Sequence, residues 1–220
     1  MFVYVGCRTS KERNARGEGI NVYHMDADTG RLTHIQLVSA LINPSFMALN
    51  STGSHLYCAH GDCEEASAFR INPKDGTLSY LNTHGTKGLN PAHVAVDPSD
   101  RFLVVSNHYG GSLAVLSIRA NGSLGELVEW VELTGQIGPH RVEQKHAKPH
   151  FNPFDPNGQF VIVPDKGLDR IYSFRFDAAE ENSYRPIRHS LPLVKAQGRG
   201  TSRFIRVVRL HTQSMNWTQP

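Results

Sequence analysis

Apolar and polar residues alternate along this chain in short runs, each closed by a turn. Val22-Tyr23-His24-Met25, Ala68-Phe69-Arg70-Ile71 and Val115-Leu116-Ser117-Ile118 have the two-residue period of half-buried strands. Each leads into a tight turn: Asp28-Thr29-Gly30-Arg31-Leu32, Lys74-Asp75-Gly76-Thr77-Leu78 and Ala120-Asn121-Gly122-Ser123-Leu124. A Thr, Asp or Asn before Gly suits the positive-φ positions of a hairpin. Gly30, Gly76 and Gly122 are spaced by 46 residues both times. A further strand, Ile171-Tyr172-Ser173-Phe174-Arg175-Phe176, continues the series without a clean turn.

A second repeat runs half a period out of step. It reads Asn43-Pro44-Ser45-Phe46, then Asn90-Pro91-Ala92-His93, then Pro149-His150-Phe151, each followed by a Pro or Gly turn and another apolar strand. Four short strands in 45 to 55 residues is the unit of a propeller blade. A β-sandwich has no reason to repeat at that interval. No segment sustains a 3.6-residue period, so helices should be nearly absent. The chain is therefore expected to be all-β, a β-propeller of four-stranded blades with about four blades in its 220 residues.

Composition narrows the function classes. Twenty-three basic and 20 acidic residues leave a net charge of only +3, with no basic stripe and no nucleic-acid partner expected. No run approaches the apolar length of a membrane span, and no leader pattern precedes the first strand, so no membrane partner and a cytoplasmic setting are expected. Cys7, Cys58 and Cys63 are odd in number and lack CxxC spacing, which reads as reduced thiols.

Several segments together resemble the lactonase-type seven-bladed propellers, which include bacterial 6-phosphogluconolactonases and fungal carboxymuconate-lactonising enzymes. They are Tyr4-Val5-Gly6 with Gly17-Glu18-Gly19-Ile20, Asn43-Pro44-Ser45-Phe46, Asn90-Pro91-Ala92-His93, Lys148-Pro149-His150 and, most specifically, Val163-Pro164-Asp165-Lys166-Gly167-Leu168-Asp169-Arg170-Ile171. The resemblance covers residues 2 to about 195 and implies seven blades, of which about four are here. It divides the chain into a partial propeller over 1–194 and an out-of-frame or irregular tail over 195–220. The family would continue after Val194 with Gly-Pro-Arg-His and later Asn-Glu-Leu-Asp. Reading Met215-Asn216-Trp217-Thr218 one frame over spells Glu-Leu-Asp whatever the codons, which suggests a frameshift near residue 195.

The resemblance implies hydrolysis of a sugar lactone, most simply 6-phosphogluconolactone to 6-phosphogluconate, without a cofactor or metal. A muconate-type lactonising activity, or a non-catalytic propeller that binds an anionic metabolite or protein, are the alternatives. Lactone hydrolysis needs a base, donors for an oxyanion and, for a phosphorylated sugar, cations. The segment from Arg141 to His150 offers all of these. His150 follows a turn proline in the slot that Ala92 fills one blade earlier, and the resemblance carries it over as the catalytic candidate. Lys145, His146, Lys148 and Arg141 are the substrate-binding candidates, and Glu143 reads as a solvated rim residue. The family's partners for His150, that Arg and Glu, exist only in the shifted frame.

Other motifs carry less. His93 reads as a packing residue between blades. His60-Gly61-Asp62-Cys63 with Cys58 lacks a zinc spacing. Asp26-Ala27-Asp28-Thr29-Gly30 lacks the later Glu of a calcium loop. No Gly-x-Ser-x-Gly elbow occurs. Arg8, Arg13 and Arg16 read as a solvated loop. A complete ring is expected to be monomeric, and a partial one to self-associate through uncovered blade surface.

Overall fold

The computed structural model describes residues 1–178 and the backbone of 187–195. Four antiparallel meanders follow one another along the chain. Blade 1 holds β1 (Phe2–Gly6), β2 (Ile20–Met25) and β3 (Leu32–Val38). Blade 2 holds β4 (Pro44–Leu49), β5 (His55–His60), β6 (Glu65–Ile71) and β7 (Leu78–Gly85). Blade 3 holds β8 (Pro91–Val96), β9 (Phe102–Asn107), β10 (Ser112–Ile118) and β11 (Leu124–Glu132). Blade 4 holds β12 (Phe160–Asp165), β13 (Arg170–Phe176) and β14 (Ile187–Lys195). Among the described residues the only helical element is a 3-10 turn at Lys11–Arg13. The tail beyond residue 195, and with it the expected domain boundary, lies outside the described residues.

Blades 2 and 3 have all four strands, with β4 and β8 innermost and side by side. In blade 4 the innermost position is taken by 149–154, which touches β12 only through bridges at Pro149–Asp165 and Phe154–Val161. Pro153 sits between those bridges and has no N–H to give a ladder. In blade 1 the inner edge of β1 has no strand beside it among the described residues. A groove of about 430 Å³ runs there, lined by Tyr4, Val5 and Gly6 on one side and Ser45 to Leu49 of β4 on the other.

The core lies in the seams between blades. Alternate residues of a strand face opposite sides of its sheet, and here both sides are covered. From β5, Leu56 and Cys58 pack with Ile20 and Val22 of blade 1. Tyr57 and Ala59 turn the other way, onto Val94, Leu103 and Val105 of blade 3. Val104, Leu113 and Val115 face Val161, Val163, Phe174 and Phe176 of blade 4. This explains continuous apolar runs such as Phe102-Leu103-Val104-Val105: a strand buried on both faces needs no polar alternation.

The 46-residue repeat also sets how blades are joined. Tyr4 Oη donates to Gly76 O and Tyr57 Oη to Gly122 O, both at 3.0 Å. Gln36 bonds both backbone groups of Leu78 (3.0 and 2.7 Å), and Asn82 does the same at Leu124 (both 2.8 Å). Blades 1 and 2 thus each grip the hairpin of the next. Gly122 (φ +84°) packs so closely on His55 that a side chain there would collide with the ring, and Gly76 does the same on Phe2. Gly30 (φ +68°) has open space, because no preceding blade lies beside it in the described residues.

Candidate functional site

In a meander, alternate turns fall at the same end of the sheet. One end collects the turns that follow β1, β5, β9 and β12 (7–19, 61–64, 108–111 and 166–169) and the connectors between blades (39–43, 86–90 and 133–148). The longest segments, 7–19 and 133–148, are both at this end, and all the predicted site residues lie there.

The inner strands begin with a bulge at this rim. The β4–β5 register skips from Pro44 to Phe46, and the β8–β9 register from Pro91 to His93. Ser45 and Ala92 are thereby left outside the ladder, and a bulge re-aims the side chain it carries. In blade 4 the same slot, after Pro149, holds His150, whose backbone N–H reaches Pro164 O at 3.3 Å. His150 is exposed.

One residue further on, Phe46, His93 and Phe151 form a rack of rings across three blades, with centroids 4.1 and 4.3 Å apart. His93 is only 5% exposed, and its Nδ1 lies 2.8 Å from Asn152 Oδ1. Burial holds its pKa down at about 4, aided by the charge of His150 and opposed by the Asn152 bond. His93 is therefore a neutral packing residue at neutral pH. His108, at the tip of β9, stands edge-on to His150 with centroids 4.9 Å apart. Its pKa is also depressed to about 4, by burial first, then by His150, Lys166 and Lys148.

Cations gather beside this pair. Lys148 is buried, and its ammonium sits 3.5 Å from Glu143 Oε2 and 5.7 Å above the Tyr109 ring. Lys166 Nζ reaches the same Oε2 at 2.8 Å. Those two ammonium groups hold the Glu143 carboxyl below its ordinary range, Lys166 more strongly. The buried Asp165 carboxylate fixes the backbone beneath, accepting from Lys148 N (2.8 Å) and Leu168 N (2.7 Å). Burial nevertheless pushes the Asp165 pKa up.

On the blade 1 and 2 side of the rim, Arg8 and Arg13 close on Asp62, Arg8 at 3.0 Å. Asp62 Oδ2 also accepts from Asn43 Nδ2 (3.1 Å), and the Asp62 N–H donates to Asn90 Oδ1 (2.9 Å). Arg13 in turn interacts with Tyr109. A continuous polar chain thus runs from the first blade to the fourth.

The family model described as a lactonase 7-bladed beta-propeller matches residues 2–201. The chain belongs to this family. Among its relatives, the 6-phosphogluconolactonase of Bacillus subtilis is 32% identical over 176 residues, covering 78% of this chain and 48% of the relative. The 6-phosphogluconolactonase of Formosa agariphila is 30% identical, covering 79% and 49%. The solved periplasmic gluconolactonase of Pseudomonas aeruginosa superposes with a TM-score of 0.75 at 26% identity, covering 86% of this chain and 54% of that one. The chain spans about half the length of the curated relatives it matches.

Within this lactonase-family chain the sequence candidates separate. His150 and Lys148 both lie beside His108. His146 lies next to them in sequence, but its Nδ1 is engaged locally with Ala147 O at 2.7 Å. Arg141 and Lys145 are exposed and make no side-chain hydrogen bond or ion pair with another described residue. The reason is the loop itself: His140 and Gln144 clasp each other across it, His140 N donating to Gln144 Oε1 at 2.9 Å, which aims Glu143 inward. Glu143 was expected on a solvated rim; it is exposed there and also bridges two lysines. Arg8 and Arg13 were expected in a solvated loop; they are exposed and also clamp Asp62. His60, set aside as a ligand, bonds Ile42 O (2.8 Å) and Ser67 Oγ (2.6 Å). His108, Tyr109 and Lys166 were missed. The last lies within the Asp165-Lys166-Gly167 turn that carried the resemblance, and that turn was the available signal.

Proposed function

We propose that this chain is the first half of a lactone hydrolase, and that its substrate is a sugar lactone, 6-phosphogluconolactone in the first instance. The carrying observation is the placement of His150: exposed, in a bulge slot at the rim, beside a neutral histidine and two lysines. The names of the Bacillus and Formosa relatives support the same chemistry.

In this reading His150 takes a proton from water as the water adds to the lactone carbonyl. The oxyanion then collapses, the ring C–O bond breaks, and the proton passes to the departing ring oxygen, leaving the hydroxy acid. Nearby cations favour the negative charge that develops. No metal or cofactor enters the proposal, and it includes a cytoplasmic setting, in keeping with three free thiols. No helix among the described residues is long and apolar enough to cross a membrane.

Activity is assigned to the complete ring, restored by correcting the frame near residue 195, and the 220-residue chain is expected to be weak or inactive. Acid release from 6-phosphogluconolactone is the assay. In the frame-restored protein, His150→Ala should lower kcat/KM by about 100-fold or more, the usual scale for a lost general base. Unchanged turnover would remove His150 from catalysis. No turnover of any sugar lactone by the restored ring would leave the anion-binding propeller.

A further inference from the structure

We infer that Lys148 and Lys166 form a seat for a phosphate monoester, and that Glu143 is its internal stand-in, displaced when the ligand binds. The inference rests on the lactonase reading for the identity of the ligand, but not for the existence of the seat.

Three observations build it. First, the two lysines are held as a pair by backbone, not by their side chains: Lys166 N donates to Lys148 O at 3.1 Å, and Asp165 anchors Lys148 N from below. The backbone that carries both side chains would stay paired if Glu143 left. Second, both ammonium groups address one oxygen, Glu143 Oε2, at 3.5 and 2.8 Å. The Lys148 side chain is 8% exposed whereas Glu143 is 48% exposed. A buried ammonium requires an anion, and here that anion comes from a solvent-facing loop. Third, the loop is tied to the seat by bonds that do not use Glu143. Gly138 N donates to Gly167 O at 3.0 Å, and Gln144 Nε2 donates to Lys166 O at 2.8 Å. The carboxylate can swing out while the loop stays docked.

Charge selects the ligand. With Glu143 in place the seat carries two positive charges and one negative. Exchanging the carboxylate for a phosphate monoester, about −1.5 to −2 at neutral pH, brings the seat near neutrality. A monocarboxylate would only repeat what Glu143 already supplies. His108 and the face of Tyr109 border the seat and leave His150 on its open side. A phosphate held here would thus fix one end of a sugar lactone while the other end meets His150.

The test uses the 220-residue chain and inorganic phosphate, measured by isothermal titration calorimetry at low ionic strength in chloride buffer, with acetate as the comparison anion. Glu143→Gln removes the competitor and keeps its shape, so phosphate should bind about five-fold more tightly, the equivalent of one freed ion pair. Lys166→Met should weaken it about ten-fold in the same protein. Lys74→Ala, an exposed lysine in the β6–β7 hairpin at the opposite end of the sheet, should stay within about two-fold. Affinity should fall on acidification from mildly alkaline pH, as the phosphate dianion takes up a proton, and acetate should bind more weakly throughout. No tightening in Glu143→Gln, or equal losses in the Lys166 and Lys74 variants, would overturn the seat. The two readings fail separately. Phosphate binding that responds to residues 143 and 166, with turnover blind to His150→Ala, keeps the seat and ends the lactonase assignment. The converse keeps the lactonase and ends the seat.

Discussion

His93 offers a direct measure of how tightly the inner strands are packed. Its ring lies between Phe46 and Phe151, and burial lowers its pKa from 6.5 to about 4. The native state therefore excludes a proton that the unfolded chain accepts between those values. Stability from this residue is complete above about pH 6.5 and is lost as pH falls from 6.5 towards 4. At pH 5 the loss is about 2 kcal/mol, and it approaches about 3 kcal/mol below pH 4. Against a domain stability of about 5–15 kcal/mol this is a large share. His93→Phe keeps a ring in the rack and removes the proton site. It forfeits the Nδ1–H bond to Asn152 Oδ1, which keeps its bond from Ser106 Oγ at 2.8 Å. That loss should cost about 1 kcal/mol at every pH. Urea unfolding should therefore show wild type ahead at pH 7.5 and the variant ahead at pH 5, with the curves crossing between. His108, depressed to the same degree, remains in both proteins and cancels from the difference. Parallel curves would refute the argument, as would an NMR titration placing the His93 ring near 6.5.

Two further outcomes follow from the seams and the free edge. Gly30→Ala and Gly122→Ala both put a side chain at positive φ, a cost of about 1–2 kcal/mol, but only at Gly122 does it meet a neighbouring ring. Unfolding midpoints should show Gly122→Ala losing about 1–3 kcal/mol more from overpacking, and equal losses would mean that the hairpin does not bear on the preceding blade. The unpaired inner edge of β1 and the groove beside it should make the 220-residue chain self-associate. Sedimentation should show concentration-dependent oligomers that Val5→Lys shifts towards monomer, and a wild-type monomer at all concentrations would disprove that.

The fold was legible because propeller stability is local and repeated. The turn glycines mark both a positive φ and a close approach to the preceding blade, so their spacing reports the blade period. Gln36 and Asn82, and Leu78 and Leu124, keep the same 46-residue interval because each pair reads the next hairpin in the same way. His93 was legible as packing since its slot is held by Phe46 and Phe151 in the adjacent blades. The site was legible only where it, too, belonged to the repeat. His150 could be placed by counting from Pro44 and Pro91. Lys166, His108, Tyr109 and Asp62 could not, because they lie in hairpin tips of three different blades. Their neighbours are set by the angle between blades, which no local pattern encodes. Arg8 and Arg13 illustrate the same limit: they look solvated in sequence, and the carboxylate they clamp lies in the next blade.

The bulge explains why one slot of the repeat can carry chemistry without disturbing the rest. Positions 44 and 46 of blade 2, and 91 and 93 of blade 3, are tied into the inner ladder, and Phe46 and His93 also join the ring rack. The residue between them is excluded from the ladder and faces the rim. Replacing it leaves the backbone ladder intact, although the Ser45 hydroxyl reaches Ala59 O at 3.4 Å and the His150 ring meets His108 of blade 3. Ser45, Ala92 and His150 therefore occupy equivalent backbone positions with unrelated side chains. A histidine in that slot gains its surroundings from elements that are fixed for other reasons. Pro149 sets the turn, Asp165 holds the strand end, and His108 is buried against Pro149 O at 3.2 Å. The scaffold is paired and buried, the His150 side chain is exposed, and the two lysines are held by the same Asp165 corner. Substitution at residue 150 should therefore alter chemistry and leave folding stability close to that of the wild type, whereas substitution at Asp165 should cost both.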